Sequence, residues 1–563
     1  MNHGISIGYL FDAIRWFTRH DENGRDIANP NKTHKMKHAL EKANGGAMSS
    51  SGKKAMTPVR KGWLARSFLA ALAIAAGSVL VQPASAIGAG DADTMFNGFN
   101  NAFLVNGNYY KNKINGNTFD EGWTGAINIM IAQDAFERTG SIAHKNLVNA
   151  LCTTFLQKFP PGYEWDGWND DIGWISIMLA RGYLITGNAD LLYNARVPCF
   201  DMVWARGWDT QYNGGGIWEQ QPNMTPPGQT IDKQALSNNT MGKAACLIYM
   251  GNHDQWYLDR AVQIYAWVRA NLYNTSNGHV YNGIEPNGTV NTSRNVYNQG
   301  TFADYANYLY QITGNVMYYN DAKRALDYVK GSLWYNDGIM TGGGTNTWSD
   351  EYARALGHFC RDNRQWATYH SWAVANANAA WARRRTDYNI TWSNFTQQTP
   401  NDNNIITNRF CDAAAWLQFT PVNIPSNIWG RHTIVGLHNM AIDSLGLTAN
   451  NSTVGLWGLN YGQTQIWNFS QNADNSWNIV SQSSWKSLDV PGGTSANNTK
   501  IIQWPATRGS NQRWWVDLQT DGSYRIWNQQ SGASLDSAST MTNGQSLIQW
   551  GWNGALQQRW RLQ

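Results

Sequence analysis

The chain reads as two folds in series, an all-α (α/α)6 barrel followed by an all-β domain built around a pseudo-threefold axis. Three features carry this reading. Apolar residues at helical spacing form about twelve segments between residues 92 and 420, several of those segments stop at a glycine, and three marks recur at steps of 46 or 47 through the last 130 residues. A length of 563 residues is too great for one hydrophobic core and calls for two or three domains.

Residues 1–55 are polar, without clear periodicity, and are assigned no fold. Arg60, Lys61 and Arg66 then precede the apolar run Phe68 to Val81, and Ala84-Ser85-Ala86 supplies an A-x-A cleavage site. Residues 56–86 therefore read as a secretory signal peptide, with Met56 or Met48 as alternative starts. The apolar run of 14 residues is short for a membrane span and no later segment is longer. A secreted, soluble monomer with no membrane anchor is the expectation.

The formal charge of +4 resides in the leader, since residues 1–86 hold 12 Lys/Arg and 5 Asp/Glu and the remainder carries a net −3. Nucleic acid as a partner thus loses its electrostatic support. Charged residues make up 15% and aromatics 13%, including 30 Trp, which suits stacking on uncharged ligands. Cys152, Cys199, Cys246, Cys360 and Cys411 are widely spaced and form no C-x-x-C or Cys/His cluster, so neither a metal site nor a cofactor is expected. Export permits disulfides, but an odd count leaves at least one thiol without an intramolecular partner.

The barrel is expected over residues 87–420. Helices centre near residues 94, 125, 150, 175, 195, 240, 262, 305, 325, 355, 372 and 412, and twelve helices with short turns make six hairpins. Gly140, Gly187, Gly251 and Gly314 follow four of these segments, where glycine supplies the left-handed residue that ends a helix. Pro421 and Pro425 mark a linker over 421–432.

Residues 433–563 hold the repeat. Gln465-x-Trp467, Gln512-x-Trp514 and Gln558-x-Trp560 form one column, Asp443, Asp489 and Asp536 a second, and Trp457, Trp504 and Trp550 a third. Short apolar strands such as Ile501 to Trp504 lie between, broken by Gly, Asn and Ser turns. This pattern resembles the ricin-type β-trefoil lectins, carbohydrate-binding modules of family 13. The resemblance implies a sugar site per repeat from an early Asp, an aromatic about fifteen residues on and a polar residue before the Q-x-W glutamine. Asp489, Trp504 and Asn511 match best, while Thr464 and Gln557 hold the last position in the other repeats. The Q-x-W tryptophans are expected in the core, and the Asp and Trp columns read equally as turn stabilisers or sugar contacts.

The chemistry-bearing stretch is Trp168-Asn169-Asp170-Asp171-Ile172-Gly173-Trp174. Adjacent carboxylates repel, so one can remain ionised while the other holds a proton, the division of labour that glycoside hydrolysis needs. The same pair also reads as a helix cap and first-turn charge. Consecutive Cα atoms lie about 3.8 Å apart, which lets the carboxyls sit at the ~5 Å spacing of retaining enzymes. Gly214-Gly215-Gly216 before Ile217 and Trp218 permits close approach of backbone and ligand, and Lys233 to Asn238 follows.

Together these segments resemble glycoside hydrolase family 76, the endo-α-1,6-mannanases, over most of 92–420. The Asp pair with x-Gly-Trp is met by Asp170 to Trp174, Gly-Gly-Gly-Ile-Trp by Gly214 to Trp218, and Lys-x-Ala-x-Ser-Asn by Lys233 to Asn238. The resemblance implies Asp170 as nucleophile and Asp171 as acid/base. Ile175 and Glu219 stand where relatives often have a second aromatic. Trp123, Trp168, Trp174 and Trp218 are expected to line the cleft, and Asp120, Glu121, Asp304, Asp350 and Glu351 to be caps or solvated charges. The expected function is retaining endo-hydrolysis of α-1,6-mannan, with a transglycosidase and a non-catalytic lectin as alternatives.

Overall fold

The computed structural model describes residues 86–563, apart from 230, 332–337 and 344–347. The N-terminal extension (1–55) and all but the last residue of the signal segment (56–86) lie outside the described residues. No described helix is long and apolar enough to cross a membrane.

Among the described residues, twelve helices form the first domain: α1 (Asp91–Phe103), α2 (Gly122–Thr139), α3 (Ile142–Lys158), α4 (Asn169–Thr186), α5, α6 (Ala235–Asn252), α7 (Gln255–Asn271), α8 (Val296–Thr313), α9 (Val316–Gly331), α10 (Asp350–Asn363), α11 (Trp366–Ala382) and α12 (Cys411–Phe419). Helix α5 runs from Ala189–Ala195 through a π-helical stretch, Arg196–Asp201, into Met202–Gly207. Pro198 lies in that stretch and has no N–H to offer the ladder, which accounts for the slip in register. Every expected helix centre falls inside one of the twelve.

The even-numbered helices form an inner ring. Each packs on the next, and α12 packs back on α2, so the ring closes. Burial follows: α4 is buried along almost its whole length, whereas its outer neighbour α3 buries only Val148, Leu151, Cys152 and Phe155. Inner helices pass to outer ones through two-residue turns, which join antiparallel neighbours. Outer helices return through long loops. All inner helices therefore start at one mouth, and the long loops gather there.

Gly140, Gly187 and Gly314 take left-handed φ values of 62°, 76° and 71° as helix ends. Gly251 does not: α6 continues to Asn252 and His253 adopts the left-handed conformation, φ 56°. Gly251 instead makes room for Tyr183, whose ring a Cβ would meet at 2.8 Å.

The inner ring encloses an ion-pair network. Arg354 Nε bonds Asp134 and its Nη1 bonds Asp350 at 2.7 Å and Glu351 at 2.5 Å, while Lys243 bridges Asp304 and Glu351 at 2.9 Å each. His358 is held between Asp304 and Glu137, and these carboxylates raise it to about 9 against the opposing effect of burial. Asp304, Asp350 and Glu351 are thus buried partners, which corrects their expected place as caps or solvated charges. Asp120 does bond Thr124 and Asn128 at the start of α2. All five cysteines are buried and unpaired.

The second domain is a trefoil. Strands β1 (Gly430–Gly436), β4 (Ile466–Gln471), β5 (Trp477–Ser481), β8 (Arg513–Leu518), β9 (Tyr524–Asn528) and β12 (Trp560–Leu562) pair in that cyclic order into a closed antiparallel barrel. Three hairpins complete the repeats: β2 (Met440–Asp443) with β3 (Gly455–Gly458), β6 (Ser487–Asp489) with β7 (Ile502–Trp504), and β10 (Ser534–Asp536) with β11 (Ile548–Trp550). Trp467, Trp514 and Trp560 are fully buried, each donating its indole N–H to a carbonyl of β2, β6 or β10.

The trefoil docks where inner helices end. The Arg508 guanidinium lies 5.1 Å from the Phe136 ring centroid, Ala473 N donates to Thr139 O at 3.4 Å, and Arg431 lies over Tyr310 at 4.7 Å. This end of the barrel is opposite the mouth.

Candidate active site

Asp170 and Asp171 occupy the first turn of α4, at the mouth. A short antiparallel pairing fixes this turn: Trp168 bridges Gln220, Asn169 N donates to Glu219 O at 2.9 Å, and Gln221 N donates to Gly167 O at 2.9 Å. The Asn169 side chain locks the arrangement. Its Nδ2 donates to Trp218 O at 2.9 Å and its Oδ1 accepts from Arg206 Nε at 3.0 Å. Residues nearly fifty apart in sequence are thereby held side by side.

Asp170 is 8% exposed, and its Oδ1 has no hydrogen-bond partner among the described residues; Asp171 is half-buried. Burial pushes Asp170 up to about 7, with the Asp166 charge adding to the rise and the backbone N–H groups of Asp170 and Asp171 opposing it. Asp171 is raised well above the usual carboxylate range by burial, then by Asp170, Asp166 and Glu219. Glu219 is raised well above its range by burial, Asp170 and Asp232. Helix N–H groups favour charge on Asp170, whereas Asp171 is surrounded by acids, so Asp171 keeps its proton to higher pH.

A cavity of about 430 Å³ is lined among others by Trp168, Glu219, Asp232, Gln234, Glu285 and Asn291; it reaches the pair through Trp168 and Glu219, which flank the Asp170 turn, while Asp170, Asp171 and Trp123 are not among its lining residues. Its far wall is a small sheet in which Lys233–Gln234 pairs with Gly283–Ile284, which pairs with Val290–Asn291. Trp168, 39% exposed, is the indole on this cavity. Across the mouth, half-buried Trp123 meets Trp348 edge-on with centroids 5.5 Å apart, and Trp348 meets Tyr297 at 5.2 Å. Trp348 holds a left-handed backbone, φ 53°, which a bulky residue adopts only under constraint. Neither Trp348 nor Tyr297 carries a periodic or motif signal that sequence reasoning could have used.

Trp174 and Trp218 differ from expectation. Both are buried and neither is among the residues lining the cavity. Gly214, Gly215 and Gly216 also lie off the cavity. All three have left-handed φ, and a Cβ would meet Trp267 at 3.0 Å on Gly215 and at 2.5 Å on Gly216, so these two serve packing, while Gly214 faces open space and serves the turn alone. The Lys233 to Asn238 segment pins the same loop. Lys233 Nζ donates to the carbonyls of Asp209, Tyr212 and Gly215, each at 2.7 Å, and lies 4.6 Å from the Trp218 ring centroid. Asn238 bonds both backbone groups of Ile217, and Ser237 N donates to Glu219 Oε2 at 3.3 Å.

In the trefoil, Asp443, Asp489 and Asp536 are buried, each accepting side-chain or backbone N–H or O–H bonds nearby. Asp489 Oδ2 receives Asn511 Nδ2 at 3.0 Å and Gln512 Nε2 at 2.7 Å. Trp457, Trp504 and Trp550 stand 42%, 39% and 39% exposed on the three hairpins, so each repeat joins a fixed carboxylate to an open indole. No group of three or more His, Cys, Asp or Glu able to hold a metal occurs among the described residues.

The family description "Glycosyl hydrolase family 76" matches residues 89–419, and "Ricin-type beta-trefoil lectin domain-like" matches 438–504 and 463–550. Among solved structures, the GH76A α-1,6-mannanase of Salegentibacter sp. HEL1_6 is similar at 21% identity and a TM-score of 0.51, over 58% of this chain and 97% of that one. An inactive variant of that enzyme, with two consecutive aspartates changed to asparagine and α-1,6-mannotriose bound, is similar at 20% identity and a TM-score of 0.51, over the same shares. The Lin0763 protein of Listeria innocua is similar at 19% identity and a TM-score of 0.50, over 58% of this chain and 95% of that one. These structural likenesses concern the fold of the helical domain. No curated protein matches the sequence. The family match covers more than half of the chain and takes in the aspartate pair, the glycine loop and the lysine segment: the protein belongs to glycosyl hydrolase family 76, a glycoside hydrolase joined to a ricin-type β-trefoil lectin-like domain.

Proposed function

We propose that the protein is a secreted, retaining endo-hydrolase that cuts α-1,6-linkages within mannan and holds the polymer through its trefoil. The observation that carries this reading is the pair of adjacent carboxyls, both raised by burial, at a helix N-terminus whose flanking residues Trp168 and Glu219 line a cavity. Support for the substrate comes from the Salegentibacter enzyme, an α-1,6-mannanase whose variant altered at two consecutive aspartates is inactive and binds mannotriose. Support for export comes from the leader at 56–86.

Asp170 as carboxylate attacks the anomeric carbon while Asp171 gives its proton to the glycosidic oxygen, which leaves as a hydroxyl of the departing chain. Asp171, now ionised, takes a proton from water as that water displaces Asp170 from the anomeric carbon. Both carboxyls return to their starting states. Adjacency along the chain favours the close spacing that a nucleophile needs over the wider gap that holds a water. On the trefoil, Asp443 with Trp457, Asp489 with Trp504 and Asn511, and Asp536 with Trp550 are the sugar contacts, and tethering raises the local concentration of polymer.

The test is incubation of the whole protein with linear α-1,6-mannan and with dextran. Short manno-oligosaccharides are expected from mannan alone, their new reducing ends α-configured when first observed by NMR. Asp170→Asn and Asp171→Asn are each expected to lose about 10³-fold or more in rate. Products longer than the substrate would indicate transfer, and binding without cleavage would leave only a lectin; either result overturns the reading.

A further inference from the structure

Glu219 is the acid that the aspartate pair does not account for. It is a carboxyl, 5% exposed, on the wall of the cavity. Its place is set from two sides. The pairing of Asn169 N with Glu219 O brings it next to the first turn of α4, and Ser237 N at the start of α6 holds Oε2. The cavity around it is built for hydroxyl groups. Asp232, Glu285, Gln220, Gln229, Gln234 and Asn291 offer acceptors and amide donors, with Trp168 as the indole.

None of the residues lining the cavity is Lys, Arg or His. The nearest ammonium, Lys233, is spent on Asp209 and three loop carbonyls behind Trp218. An anionic substituent entering here would meet Glu219, Asp232 and Glu285 with no counter-charge. One residue from Asn169, which pairs with Glu219, nine-tenths buried Asp170 has an oxygen with no partner among the described residues.

We propose that Glu219 is a specificity-determining residue: its carboxyl gives the cavity wall next to the Asp170 turn a hydrogen-bonding group, so that the cavity accepts an uncharged hexose unit and rejects one carrying an anionic group. The assignment rests on the function proposed above and names the substrate feature read by that site. A protonated Glu219 donates to a sugar hydroxyl and accepts from another, which an indole in its place cannot do. Glu219 also acts on the pair electrically. The groups facing it are Asp170, Asp171, Asp232 and, through the Asp170 turn, Asp166, all acids, so ionisation of Glu219 raises Asp171 further.

The experiment compares the wild-type full chain with Glu219→Gln, Glu219→Ala and Glu219→Trp, using linear α-1,6-mannan and the same polymer chemically phosphorylated on a fraction of its hydroxyls, with Asp170→Asn as the inactive reference. Wild type is expected to favour the neutral polymer by about tenfold or more in kcat/KM. Glu219→Ala is expected to raise KM for neutral mannan about tenfold with a smaller loss in kcat, Glu219→Gln to recover most of that KM, and Glu219→Trp to resemble Ala. In Gln and Ala alike, loss of the neighbouring charge moves the alkaline limb of kcat/KM to lower pH, and Gln narrows the preference against phosphorylated polymer. A KM and a discrimination pattern that differ between Gln and Trp separate a hydrogen-bonding Glu219 from one that only fills space, while the limb shift reports its charge. If wild type cuts mannan while Glu219→Gln keeps its KM, discrimination and pH limb, and Glu219→Trp does the same, the Glu219 assignment falls alone. If wild type leaves mannan intact, as Asp170→Asn does, the proposed function fails first.

Discussion

In the proposed mechanism one carboxyl of the pair works ionised and its neighbour protonated, which requires surroundings that separate them, here the helix N–H groups and the nearby acids. Asp170, raised to about 7, must then lose its proton to attack, so activity is expected to fall as pH drops through that region. Asp166 is the neighbouring charge that adds to this rise. Asp166→Asn is therefore expected to lower the apparent value for Asp170 and to move the acid limb of kcat/KM down by about half a unit or more, measured as a pH–rate profile on mannan. An unmoved limb would remove Asp166 from the account. The Asp pair was legible in the sequence because it is local. Glu219 was legible only as a departure from a motif, since its nearness to the pair depends on the bridge between Trp168 and Gln220, fifty-two residues apart.

At the scale of the helix, α10 shows what the inner ring demands. Its Arg354 answers Asp134 of α2 as well as Asp350 and Glu351 of its own first turn, and all four groups are shut away from water. Arg354→Met is expected to destabilise the protein by about 3–5 kcal/mol, because it leaves buried carboxylates without a counter-charge; urea unfolding followed by tryptophan fluorescence measures it. A loss under ~1 kcal/mol would mean that the carboxylates take up protons instead. The helices themselves were readable, down to three of the four glycine stops, because amphipathic period and left-handed glycine are short-range signals. The network was not. Asp304 in the middle of α8 and Asp350 and Glu351 in the first turn of α10 look like solvated charges or caps until the ring closes around them.

Over the whole molecule, the trefoil sits on the end of the barrel opposite the mouth, so its three hairpins do not extend the cavity, and in the proposed function they hold polymer away from it. Simultaneous Trp457→Ala, Trp504→Ala and Trp550→Ala changes are expected to cut retention on insoluble mannan about tenfold or more while leaving hydrolysis of a soluble mannotetraose within ~2-fold, by pull-down and product analysis side by side. Equal losses in both would place the indoles in the catalytic path instead. The order of the two domains, the twelve helices among the described residues, the threefold repeat and the aspartate pair could all be read from the chain, since each is written as a short period or a contiguous motif. Which tryptophans stay open was settled by the assembled fold: Trp168 keeps a face to the cavity, whereas Trp174 and Trp218 are buried and the glycine loop packs on Trp267. The reason is that exposure and proximity belong to pairs of distant segments, and their register is set by closure of the helical ring and by hydrogen bonds between loops, quantities that no local pattern encodes.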